Sequence, residues 1–102
     1  MLEKVNITTE STLMPDFWKL KTIGLFNDHA VNIIKLKGEF EWHIHEHEDK
    51  LFFVIDGALD IQFKHQPIVS LNKNEFLVIP KGVEMMPVAK TEATLMIFEP
   101  KR

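Results

Sequence analysis

Apolar residues in this chain come in short runs bounded by turn residues: "HAVNIIKLKG", "KLFFVIDG", "ALDIQFKH", "PIVSLN", "EFLVIP" and "ATLMIF". The runs are rich in β-branched and aromatic side chains, a composition that suits half-buried strands better than helices. Roughly eight or nine strands at intervals of about ten residues predict an all-β sandwich or a closed barrel, closure removing the open edges of a sheet. Asn27-Asp28 and Asp56-Gly57 fall between runs and predict two hairpins, the second because Asp-Gly suits a turn whose central residues both need positive φ. Helix signals are confined to Thr9 through Phe17. There Ser11 or Thr12 offers a cap and Pro15 a stop, which predicts no more than a single turn.

With 102 residues and 45% apolar content, the chain has material for one core, so residues 1–102 are expected to form a single domain. It has no cysteine, which removes disulfides and thiolate metal sites from consideration. The formal charge of −3 is scattered, and no basic run is present to neutralise a phosphate backbone, so nucleic acid is not expected as a partner. "MLEKVNITTE" lacks the apolar core of a signal peptide, and no stretch is long enough to span a bilayer. A soluble, cytoplasmic protein is the expectation.

Chemistry concentrates in "GEFEWHIHEHEDKLFFVIDG", Gly38 to Gly57, which places three of the five histidines within five residues. Side chains alternate across a strand, so His43 and His45 share one face while Trp42 and Ile44 share the other. Two imidazoles on one face are natural ligands for zinc, nickel, copper or iron if further donors converge from neighbouring strands. The plainer alternative is a solvated strand. His47 keeps the parity and is a candidate third ligand, although the acidic run around it predicts the start of an exposed turn. Phe52 and Val54 share the parity of Lys50 and are expected in the core. Trp42 is expected to pack on another sheet layer or a second subunit. Met85 and Met86 are adjacent and so face opposite ways, which suits gap filling better than joint ligation of a soft metal.

These residues resemble the first motif of the cupins, G-x5-H-x-H-x3,4-E-x6-G. Gly38, His43, His45 and Gly57 match, with one residue fewer after the first glycine. "NEFLVIPKGVEMMPVA" is similar to the second motif, G-x5-P-x-G-x2-H-x3-N, through Pro80 and Gly82. The resemblance runs from about Val31 to Glu99 and implies a small antiparallel β-barrel or jelly roll with its site inside. It implies as ligands two histidines and a glutamate from the first motif and a histidine from the second. It also implies a homodimer paired through the sheets, with residues 1–16 as an N-terminal extension whose "LEKVNI" alternates well enough to be exchanged.

Two of those four ligand positions are altered, because Lys50 stands where the family carries glutamate and Met85 where it carries the second-motif histidine. Asn74 and Ala89 replace that motif's first glycine and its asparagine. A protonated lysine cannot ligate, and a thioether suits Cu(I) better than zinc or iron. Unit charges 4 Å apart at an effective dielectric near 20 interact by about 4 kcal/mol, so an inward Lys50 would repel a divalent ion strongly. Three rearrangements would relieve this: Lys50 snorkelling to the barrel mouth, a bulge turning Asp49 or Glu48 inward, or His47 recruited by such a bulge. An inward lysine beside two imidazoles would instead attract an anion, unless Glu48, Asp49 or Glu41 pairs with it. The expected function is a stand-alone barrel holding a small polar or anionic molecule in a pocket of His43, His45, Lys50 and Met85. The alternative is a metal-dependent enzyme of the isomerase or dioxygenase type.

Overall fold

The computed structural model describes residues 2–101; Met1 and Arg102, the ends of the expected domain, lie outside them. Eight strands follow one short helix, α1 (Ile7–Thr12): β1 (Lys21–Phe26), β2 (His29–Glu39), β3 (His43–Ile44), β4 (Lys50–Asp56), β5 (Ala58–Phe63), β6 (Val69–Asn72), β7 (Phe76–Ile79) and β8 (Glu84–Pro100). All pairings are antiparallel. The order β1-β2-β8-β4-β7 is completed by β3 and β5 on β8 and by β6 on β5, so the 17-residue β8 touches four other strands.

That long strand explains how the barrel turns its corners. Its C-terminal half carries β4, with Leu51 opposite Phe98, while its N-terminal half carries β5, with Ile61 opposite Pro87. Asp56-Gly57 is therefore not a hairpin, because β4 and β5 pair with β8 and never with each other. Gly57 is the bend between them, at φ 78°, and a Cβ there would lie 2.4 Å from the Glu92 carbonyl oxygen. The turn residue was informative about a bend and silent about the partner. Asn27-Asp28 does close a hairpin: Phe26 pairs with His29, and Asn27 takes φ 52°.

The interior follows period-2 alternation. Phe52 and Val54, Leu59 and Ile61, and Ala93, Leu95 and Ile97 all enter one core, whose burial supplies the main stabilisation in a chain without cysteine. The helix begins earlier than expected: Asn6 caps it by accepting the Thr9 N–H at 2.9 Å, and neither Ser11 nor Thr12 is the cap. Asparagine is as good an N-cap as serine, which moves the start forward, and the helix ends before Pro15. Residues 2–6 lie outside any strand, and α1 is held to the sheet by Lys21 with Glu10 at 3.1 Å. Among the described residues no helix is long and apolar enough to cross a membrane.

Candidate functional site

The barrel contains a cavity of about 200 Å³, partly open to solvent. Strands β2, β4 and β8 supply an aliphatic wall through Ile34, Leu36, Leu95 and Ile97, together with the ring of Phe52. Trp18 and Phe40 supply an aromatic wall, and four polar side chains reach in: His43, His45, Lys50 and Glu99.

The histidines are placed by short-range backbone contacts. His43 lies opposite Met85 in the β3–β8 register, and its Nδ1 is 2.9 Å from the carbonyl oxygen of Glu41. A carbonyl only accepts, so Nδ1 carries the hydrogen. The Gly82 N–H donates to the carbonyl of His45 at 2.8 Å, so the turn after Pro80, with Gly82 at φ 81°, fixes the second histidine. The two imidazoles meet edge to face, centroids 4.8 Å apart. His45 Nε2 is buried and, among the described residues, has no hydrogen-bond partner. Burial, followed by the Lys50 ammonium, lowers the His45 pKa to about 4, so the ring is neutral at pH 7.

Lys50 does point inward, and its partner is Glu99 rather than Glu48, Asp49 or Glu41. Its Nζ donates to Glu99 Oε1, both side chains being only about 15% exposed. Antiparallel register is the cause: Leu51 faces Phe98, so one residue further Lys50 faces Glu99. The other carboxylate oxygen accepts from Asn32 Nδ2 at 2.6 Å, and Asn32 Oδ1 accepts from Thr22 at 2.6 Å. Each oxygen of the carboxylate thus has a donor, as a buried charge requires. Glu99 had a sequence signal in the inward parity of Ala93, Leu95 and Ile97, which it continues. Trp18 had none: it is a non-glycine residue at φ 63°, held by N–H donation to Lys35 O at 2.8 Å and Nε1–H donation to Lys37 O at 3.0 Å.

The remaining candidates do not line this cavity. His47 is exposed, as its acidic neighbourhood predicted. Met85 is fully buried in the core and does not line the cavity. Asp49 accepts the Lys81 N–H at 2.9 Å instead of turning inward. Trp42 lies beneath Lys64, whose Nζ is 4.0 Å from the ring centroid. The residues present do not fit a metal ion: an ammonium occupies the carboxylate position, and among the described residues no three His, Asp or Glu side chains are arranged to hold one. The lysine charge that would have drawn an anion is neutralised by Glu99.

Residues 31–99 match the family model described as the cupin domain. Along 61 residues the chain is 43% identical to the uncharacterized protein YdbB of Bacillus subtilis, a match that covers 60% of this chain and only about half of that protein's length (54%). A cupin-2 domain containing protein from Shewanella frigidimarina is 39% identical in sequence, and its crystal structure superposes with a TM-score of 0.92 over 95% of this chain and 94% of that one. A protein from Neisseria meningitidis shares the fold at 23% identity, TM-score 0.89, over 97% of this chain and all of the other.

Proposed function

The chain belongs to the cupin domain family, and on that premise we propose that its barrel binds a small molecule directly, at a site remodelled away from metal ligation. The observation that carries this is His45 Nε2, a buried polar atom without a partner beside a cavity of about 200 Å³. An unsatisfied buried group is unfavourable by about 1–3 kcal/mol, and a ligand that hydrogen-bonds to it recovers that loss. Pocket chemistry favours a compact ligand, largely apolar, with one polar group. Lys50 and Glu99 cancel each other's charge, and His45 is neutral, which supports an uncharged ligand over the anion suggested by the sequence.

The metal-dependent enzyme reading would need two further donors beside His43 and His45, and Lys50 and Met85 provide neither. A second copy of the chain is the macromolecular partner in this proposal, supported by Phe26, Phe76 and Val78, each about half exposed. Native mass spectrometry of untagged protein purified without chelators tests both parts. The expected result is a dimer that carries no transition metal. A near-stoichiometric metal in the wild type, lost in His43→Ala, would overturn the proposal and restore the enzyme reading.

A further inference from the structure

We infer that the ligand is a monocyclic aromatic alcohol, its ring against the Trp18–Phe40 wall and its hydroxyl on His45 Nε2. This rests on the reading of the barrel as a small-molecule site and adds the ligand class. Size comes first. An apolar cavity of about 150 Å³ takes up benzene, so about 200 Å³ admits one ring with a small substituent.

The wall then selects the ring. Trp18 stacks on Phe40 with centroids 4.9 Å apart and planes at 14°, Phe40 meets His43 edge-on at 5.4 Å, and His43 meets His45 at 4.8 Å. Four rings in unbroken contact thus run along one side of the cavity. Such a surface favours another ring beyond the area it buries, because offset and edge contacts match ring quadrupoles. The left-handed backbone of Trp18 points the same way, since a bulky residue persists in that region only where surrounding contacts hold it, and such residues collect at ligand clamps.

Charge and hydrogen bonding select the polar group. The Lys50–Glu99 pair offers no net charge to either an ammonium or a carboxylate on the ligand, and the Glu99 oxygens already hold Lys50 and Asn32. A hydroxyl donates and accepts, so it satisfies His45 Nε2 in either tautomer of the neutral ring.

The test follows the Trp18 indole N–H by NMR, assigned against Trp42→Phe, during titration with phenol, toluene, cyclohexanol and benzoate. Phenol is expected to bind at least tenfold more tightly than each of the others. His45→Leu should abolish the gap between phenol and toluene while toluene binding persists, and His45→Gln should retain part of it, with thermal melts confirming that both variants fold. Toluene or cyclohexanol equal to phenol, benzoate tighter than phenol, or a gap unchanged in His45→Leu would each overturn the inference while leaving a metal-free binding site in place. Absence of phenol binding overturns it as well, and a stoichiometric metal in the same sample would take the broader reading with it.

Discussion

Removing the Lys50 ammonium should be more damaging than removing the Glu99 carboxylate, although the two form one ion pair. In Lys50→Met the carboxylate stays about 14% exposed with Asn32 as its remaining donor, and its place on β8 keeps it beside the mainly apolar wall of the cavity. Breaking a buried pair from one side is unfavourable by about 3–5 kcal/mol; partial exposure and the surviving hydrogen bond reduce this to about 2–4 kcal/mol. In Glu99→Gln the ammonium has an exit, because Lys50 also lines an outer groove beside Glu48 and Asp49, so about 1–2 kcal/mol is expected. The double variant Lys50→Met, Glu99→Gln keeps an acceptor for Asn32, leaves no unpaired charge, and should lie within about 1 kcal/mol of wild type. Urea unfolding followed by tryptophan fluorescence measures all four proteins, and the coupling should reach about 2 kcal/mol. At this chain length each kcal/mol moves the melting temperature by about 4–8 °C, so Lys50→Met should melt at least about 8 °C lower. Additive single effects, or Lys50→Met within about 0.5 kcal/mol of wild type, would refute the pairing as a buried, coupled unit.

Acid stability should reflect His45. Its pKa is about 4 in the folded chain, against about 6.5 in the unfolded chain, so between these values the unfolded chain takes up a proton that the folded chain refuses. The stability contributed by the neutral ring is present above about pH 6.5 and lost as pH falls towards 4. The full shift corresponds to about 3 kcal/mol, which solvent near this partly buried ring lowers to about 1–2 kcal/mol. His45→Gln should flatten that part of the pH–stability curve, and an unchanged slope would refute the assignment. Gly57→Ala should destabilise by more than about 3 kcal/mol in urea unfolding, because its Cβ would meet the Glu92 oxygen at 2.4 Å and Ala93 Cα at 3.0 Å on a positive φ. Gly38→Ala, at φ 80° with nothing within 4 Å, should lose only the backbone term of about 1–2 kcal/mol, and equal effects at both glycines would contradict the close approach.

Alternation made much of this molecule legible. The period-2 placement of Phe52 and Val54, and the resemblance carried by Gly38, His43, His45, Pro80 and Gly82, are enough to place two imidazoles inside a small barrel. Legibility ended where an outcome depended on which strand lies beside which. Asp56-Gly57 announces a bend, yet whether β4 and β5 pair is decided by β8, which engages them at separate ends. Trp18 adopts its left-handed backbone through contacts with Lys35 and Lys37, almost twenty residues away in sequence, which no local propensity encodes.

The same limit explains the charge of the site. Read locally, Lys50 has three acidic neighbours, all within reach along its own segment. Its partner is 49 residues away, brought opposite by a register that any antiparallel β4–β8 pair would share. A lysine at the first-motif glutamate position is tolerable here because Glu99 faces it and Asn32 holds the far oxygen of Glu99. Reversing one sign without the other would leave either two inward carboxylates or two inward cations in a space lined mainly by Leu, Ile and Phe. The fold therefore follows from the residues that match the family pattern, whereas the proposed ligand depends on two positions that must be read together. Lys50 and Glu99 put a neutral pair where the family pattern carries a metal-ligating carboxylate, and in the proposed binding mode the unpartnered nitrogen of His45 is the group around which recognition is organised.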